Sequence, residues 1–275
     1  MTNNETNGIQ AADSALPVWF LAHGSPMLAV QHTAYTRALA VLQDTLPRPA
    51  AIAVVSAHWQ TRGAICVTGA KRPETIHDFG GFDGSLYEIA YPAPGAPELA
   101  SEIVTMLRRT GLAASLDASR GLDHGAWVPL RWSFPDATVP VVQVSLPFPA
   151  PSTNLLQLGR ALAPLRRRGV LLLASGGIVH NLRIVALEND DAPVPSWARE
   201  FDGWVADRLG ALDIEALADY RGRAPHASLA VPTAEHFEPL LVALGAAEPA
   251  DRVTTLFEGF QHGTLSLRSI SLGKP

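Results

Sequence analysis

Apolar residues in this chain gather into short runs that end abruptly in polar residues and histidine. Val18–Ala22, Ala51–Ser56 and Val170–Ser175 are the clearest of these runs, and none shows the apolar–polar alternation of a half-exposed strand. Continuous, β-branched-rich runs of this length suit strands buried on both faces of a parallel sheet. The first leads into His23-Gly24-Ser25-Pro26, the second into Ala57-His58-Trp59, and the third passes Gly176-Gly177 towards His180-Asn181. In open α/β sheets, ligands collect outside the carboxyl ends of the strands. Three strands therefore each deliver a histidine to what can be one edge.

The rest of the pattern alternates in kind. The apolar positions of Tyr35–Leu46 predict a helix that ends before Pro47, and Ala64–Thr68 reads as a short, edge-type strand. Residues 71–97 are rich in Pro, Gly and aromatics, the composition of a loop that folds over something. Pro97–Arg109 predicts a helix with Pro near its start and Gly111 as its stop. Residues 121–129 read as a second aromatic loop centred on His124, and Val139–Ser145 as another buried strand. Leu155, Leu158, Leu162 and Leu165 share one face of a helix over residues 153–168. Helices are also expected from residue 195 or 196 to Leu209, briefly over 213–219, and over Ala234–Leu244, which places Glu235 and His236 in a first helical turn. Val253–Phe257 and Leu265–Ser271 are closing strands. This alternation predicts one α/β domain over residues 16–275, a mostly parallel central sheet flanked by helices, behind a polar, disordered leader of residues 1–15.

Composition narrows the function more by exclusion. With 275 residues the chain can bury a large core; its net charge of −5 and lack of a Lys/Arg stripe argue against a nucleic-acid surface. Arg166-Arg167-Arg168 falls at a predicted helix end, where cations suit the dipole. The single Cys66, within an apolar run, excludes an internal disulfide and reads as a buried, inert thiol. No apolar run approaches the roughly 20 residues of a membrane helix, and the N-terminus lacks a signal-peptide pattern. A cytoplasmic protein acting on a small molecule is expected, with no nucleic-acid or membrane partner.

Nine histidines are more than such a domain ordinarily carries. His32 and His226 lie in polar surroundings and read as surface residues, while spacing leaves His77 and His262 undecided. A histidine beside a strand end more often bonds backbone than metal. Convergence changes the balance, because neutral imidazole is the commonest ligand for Zn and Fe and neighbouring strands can bring several to one ion.

Six segments taken together carry a family resemblance: His23-Gly24-Ser25-Pro26, Ser56-Ala57-His58-Trp59, Thr75-Ile76-His77-Asp78-Phe79, Gly121-Leu122-Asp123-His124-Gly125-Ala126-Trp127, Ser175-Gly176-Gly177-Ile178-Val179-His180-Asn181-Leu182 and Pro232-Thr233-Ala234-Glu235-His236-Phe237. In order along the chain, they resemble the class III extradiol ring-cleaving dioxygenases, and most closely their DOPA 4,5-dioxygenase-like branch. The resemblance implies one non-haem divalent metal, Fe(II) for activity, in a site that Zn(II) also fits. It implies His23, His58 and His236 as ligands, with Glu235 an alternative to His236. It leaves His180 two roles, catalytic base or further ligand, and makes His124 the second acid–base candidate. His77, His124 and Trp59 are the expected substrate-binding residues. The implied reaction opens a catechol ring with O2 beside its two hydroxyls. A zinc-dependent hydrolase and a non-catalytic binding protein on the same fold are the alternatives. Which catechol is used, and the oligomeric state, stay open.

Overall fold

The computed structural model describes residues 15–274, so the expected leader, apart from Ala15, lies outside the described residues. In order the chain forms β1 (Val18–Ala22), α1 (Ala34–Ala40), β2 (Ala51–Thr61), β3 (Ile65–Thr68), α2 (Pro97–Arg109), β4 (Ala114–Asp117), α3 (His124–Ser133), β5 (Val141–Pro147), α4 (Ser152–Leu162) and β6 (Val170–Gly176). It continues through α5 (Ser196–Gly210), α6 (Ile214–Ala218), α7 (Tyr220–Arg223), α8 (Ala227–Ala230), α9 (Glu238–Gly245), β7 (Arg252–Phe257), β8 (Phe260–Gln261), β9 (Leu265–Ser266) and β10 (Ser269–Gly273).

Eight strands make one sheet in the order β4-β3-β5-β2-β6-β1-β10-β7. Its centre, β5-β2-β6-β1, is parallel throughout, while β3 meets β5, and β10 meets β1 and β7, in antiparallel register. The three runs that lead to histidine are thus adjacent strands. Alternate residues feed two cores: Val18, Phe20, Ala53 and Val55 pack with α2, α4, α5 and α9, whereas Trp19, Leu21, Ile52 and Val54 pack with α1 and α3. Burial on both faces is the physical reason these strands carry no polar alternation. The result is a single α/β domain with a mixed, mostly parallel sheet. Among the described residues, no helix is long and apolar enough to cross a membrane.

Several local expectations need correction. The segment around His124 is not a loop: Asp123 accepts the Ala126 N–H at 3.2 Å and caps α3, which runs on despite Gly125 and Pro129. Gly125 is there because α3 lies hard against β2, where a Cβ would stand 2.3 Å from the Ser56 hydroxyl. The helix over 234–244 begins only at Glu238, with Pro239 in its first turn. His236 stands before it, its carbonyl already taken by the Gly177 N–H at 2.8 Å. Helix α1 stops at Ala40 and a 3-10 turn covers Leu42–Thr45; similarly, α4 gives way to a 3-10 segment over Ala163–Arg168. Ala64–Thr68 is not an edge, because β4, a half-buried strand without an apolar run, pairs outside β3. Cys66 is half-buried on β3. Arg166 is no surface cation: fully buried, it pairs with Asp251 at 2.7 Å and donates to the Leu16 and Ala246 carbonyls.

Candidate metal centre

The site forms where β1, β6 and β2 end. Pairing brings Ala22 level with Gly176, and Ser56 level with Ser175. His23 follows at once, its N–H donating to the Gly176 carbonyl at 3.2 Å. His58 needs a further device, because β2 continues to Thr61. Pairing with β5 breaks after Val55–Val144 and resumes at Gln60–Leu146, so Ser56 to Trp59 stand opposite Ser145 alone. Such a bulge re-aims side chains, and this one turns His58 over the end of β6. His236 arrives from the turn before α9, anchored through Gly177.

One donor atom from each of His23, His58 and His236 falls within 4.8 Å of the others. Each imidazole has an oxygen partner at Nδ1, hydrogen-bonded for His23 and His236 and in ion-pair range for His58. His23 Nδ1 lies 3.0 Å from the Ser175 hydroxyl, which spends its own hydrogen on the Gly125 carbonyl, so the imidazole must be the donor. That carbonyl is free because Pro129, four residues on, has no N–H to give it. His58 Nδ1 faces an Asp78 carboxylate oxygen at 3.4 Å. His236 Nδ1 faces Glu235 Oε1 at 3.2 Å, and the Thr233 hydroxyl donates to the same oxygen at 2.6 Å. Glu235 thus orients His236.

A neutral imidazole has one N–H, so the bonded Nδ1 atoms of His23 and His236 leave their Nε2 lone pairs free, and the Asp78 charge beside His58 Nδ1 favours the same arrangement there. The His23 and His58 Nε2 atoms are 3.0 Å apart, and His236 Nε2 is buried without a partner. Two lone pairs at that separation repel unless a cation lies between them. Nitrogens each about 2.0–2.1 Å from one divalent ion and at right angles about it stand about 3 Å apart. Carboxylate partners on the far nitrogen, as at His58 and His236, are likewise the habit of metal-binding histidine. The residues therefore fit a divalent metal.

Protonation fits as well. Burial holds His23 and His236 well below the usual imidazole range, and the neighbouring imidazoles lower them further. Burial and then His124 bring His58 down to about 3, against the opposing pull of Asp78. All three stay neutral at pH 7 with lone pairs available, as a metal requires.

Residues 17–266 match the family described as the catalytic LigB subunit of aromatic ring-opening dioxygenase. The chain belongs to that family. It is 43% identical over 265 residues to a protein of Escherichia coli (strain K12) named 4,5-DOPA dioxygenase extradiol, spanning 95% of this chain and 96% of that one. It is 37% identical over 262 residues to a protein of the same name from Beta vulgaris, spanning 94% and 96%. The crystal structure of an uncharacterized protein from Escherichia coli K12 superposes with a TM-score of 0.80 at 38% identity, covering 94% of this chain and all of that one. These likenesses support the DOPA 4,5-dioxygenase-like branch of the LigB superfamily.

Within this LigB-family site the remaining histidines take different places. His180 lies outside the three-histidine group and stacks on His236, with ring centroids 3.5 Å apart and planes within 6°. Burial and then His58 lower it to about 4, while Glu235 pulls the other way. His124 heads α3 with its ring 4.0 Å from His58 and 5.4 Å from His23. His77 stands a layer back, its Nε2 3.0 Å from the Ile89 carbonyl and its ring among Phe79, Tyr87 and Trp127. Between it and the centre is Phe79, edge-on to His124 at 5.6 Å. Trp59 is buried beneath the Arg120 guanidinium at 5.2 Å and is not among the rings packed on the cluster histidines. His32 and His226 are exposed, and His262 is buried beside Asp190 at 3.3 Å.

Sequence reasoning passed over Asp78, Ser175 and Phe79 as members of the site, although all three stand inside the motifs it quoted. It also passed over Glu238, which receives the Gln60 amide at 3.2 Å. That bond ties the residue two after His58 to the residue two after His236. Only the adjacency of Asp78 and Ser175 to histidine-bearing segments could have marked them.

Proposed function

We propose that this protein is an extradiol dioxygenase that opens the ring of a catechol with O2, using one divalent metal held by His23, His58 and His236. The observation that carries the reading is the set of three neutral imidazoles, each facing an oxygen partner at Nδ1, whose donor atoms share one small space in a LigB-family fold. Three ligands suit this chemistry because they leave room for both catechol oxygens and for O2. Fe(II) would supply the redox exchange between catecholate and O2, which Zn(II), with no redox change available, cannot. Both oxygen atoms end in the product, and the carbon–carbon bond beside the two hydroxyls breaks to leave a muconic semialdehyde-type chain. The names of the similar E. coli and Beta vulgaris proteins favour a catechol of the DOPA kind as substrate.

The protein's own groups handle protons and water. His180, neutral at pH 7 and fixed by its stack on His236, takes a proton from the catechol and returns one as the ring opens. His124 is the second candidate for that transfer and lines the pocket. Phe79, backed by His77, Tyr87 and Trp127, walls the space with aromatic rings that exclude water and face a planar substrate.

The test is anaerobic loading with Fe(II), followed by a panel of catechols watched for O2 uptake and a new yellow chromophore. Uptake matched one-to-one by chromophore supports ring cleavage. No uptake with any catechol at full metal occupancy overturns it. His180→Gln should keep its metal and lose about 10²- to 10⁴-fold in turnover, with catechol affinity changed much less. Loss of metal would make His180 a ligand, and turnover near that of the parent would pass the proton transfer to His124.

A further inference from the structure

We infer that Asp78 is a positioning residue whose single carboxylate sets the tautomers of both the ligand His58 and the pocket residue His124. The inference rests on His58 being a metal ligand only for its effect on affinity; the tautomers themselves are a property of the chain.

Asp78 Oδ1 accepts two hydrogen bonds from His124, one from its backbone N–H and one from Nδ1, both at 2.9 Å. Oδ2 faces His58 Nδ1 at 3.4 Å. An ionised carboxylate accepts only, so the His124 Nδ1 must carry hydrogen, and the same charge beside His58 draws its hydrogen to Nδ1 as well, which leaves a lone pair on each Nε2. One of those lone pairs points to His23 Nε2 at 3.0 Å, the position of a ligand atom. His124, its ring 4.0 Å from that of His58, is left with a bare Nε2 as an acceptor beside the centre.

His58, Asp78 and His124 also have donor atoms close enough together to hold an ion of their own. Their hydrogen bonds argue against that use. Oδ1 is already engaged by a backbone N–H that cannot be removed, and His58 cannot direct one lone pair at two ions. The group therefore reads as the outer support of one metal site, and not as a second.

Asparagine cannot replace this carboxylate, because it has one acceptor oxygen. Held by the two His124 donors, that oxygen would leave the amide NH2 facing His58 Nδ1. His58 would then move its hydrogen to Nε2 and lose the lone pair aimed at the metal. Loss of such an outer partner typically costs about 10- to 100-fold in metal affinity.

The experiment combines 15N-histidine NMR of the metal-free protein with Zn(II) titration against a chromophoric chelator, on the parent, Asp78→Asn and Asp78→Glu. The parent should show His58 and His124 both as Nδ1–H tautomers and bind one Zn(II). Asp78→Asn should switch His58 to Nε2–H, leave His124 unchanged, and bind Zn(II) about 10- to 100-fold more weakly. Asp78→Glu, which restores two acceptor oxygens, should recover the His58 tautomer and part of the affinity. An Nε2–H tautomer at His58 in the parent overturns the inference, and needs no variant to fold. So does an Asp78→Asn protein that binds Zn(II) within twofold of the parent, or a parent that binds two Zn(II) and loses one with Asp78. Zn(II) binding that survives His23→Ala and His236→Ala would instead refute the ligand assignment, while the tautomers of the parent would stand.

Discussion

Gly176 and Gly177 are adjacent, yet an added methyl should have opposite consequences at the two. Gly176 ends β6 with its backbone against the loop that carries His236, and a Cβ there would lie 2.2 Å from the His236 carbonyl oxygen and 3.2 Å from Pro239. Contacts below 3.0 Å are essentially never seen, so strand and loop would have to part by about 0.8 Å. The obstacle is backbone on both sides, which no rotamer change relieves. Metal–ligand distances tolerate only about 0.2 Å, so Gly176→Ala should draw His236 out of reach and leave the site two ligands. Overpacking of this kind costs about 1–3 kcal/mol, a loss the fold can carry. At Gly177 the nearest atoms to a Cβ would be those of the His180 side chain at 3.7 Å and the Val179 carbonyl oxygen at 3.8 Å, all in ordinary contact. Gly177→Ala should therefore bind metal like the parent. Zn(II) titration and thermal unfolding of both metal-free variants give the answer. Parent-like affinity in a folded Gly176→Ala protein would refute the argument that this close approach sets the third ligand.

The buried histidines make stability depend on pH in a defined direction. His180 is held at about 4 and His58 at about 3, with His23 and His236 also lowered, so below pH 6.5 the unfolded chain binds protons that the folded one refuses. The metal-free protein should lose stability as pH falls from 6.5 towards 4, by up to about 1.4 kcal/mol per pH unit for each histidine. Urea unfolding that is flat over this range would contradict the burial of the cluster. Asp251→Ala should cost about 3–5 kcal/mol, because it strands the fully buried Arg166 guanidinium, as denaturant melts will show. Changing His23, His58 or His236 to Ala should sharply reduce bound metal with the sheet intact, as metal analysis and circular dichroism on one preparation will test.

The helix over Pro97–Arg109 is legible to the residue, because proline at its start, glycine after its end and an apolar stripe of Leu99, Ile103 and Leu107 are all local facts. The apolar runs of β1, β2 and β6 are legible too, because their uniform apolarity reports burial on two faces, although β2 continues five residues past its run to Thr61. From those runs and their histidines follow the sheet edge and two of the three histidines, His23 and His58, of the candidate metal group. Helix α3 was hidden because glycine and proline, read locally, signal a loop. In the fold, glycine is needed for contact with β2, and proline releases a carbonyl that Ser175 takes up to fix His23. Strand β4 was hidden because its residues are half-buried and form no apolar run. The start of α9 was displaced because the His236 carbonyl bonds across to Gly177, far away in sequence. Apolar pattern and end signals record what a residue does to its own segment, so sequence determined the central strands, most helices and the histidine-bearing segments, while β4 and β8 escaped it and the expected strand Leu265–Ser271 is two short strands, β9 and β10. Hydrogen-bond partners are chosen by which segments meet. Only the tertiary structure could decide that Asp78, Ser175 and Glu235 face the Nδ1 atoms of three histidines whose donor atoms lie within 4.8 Å of one another.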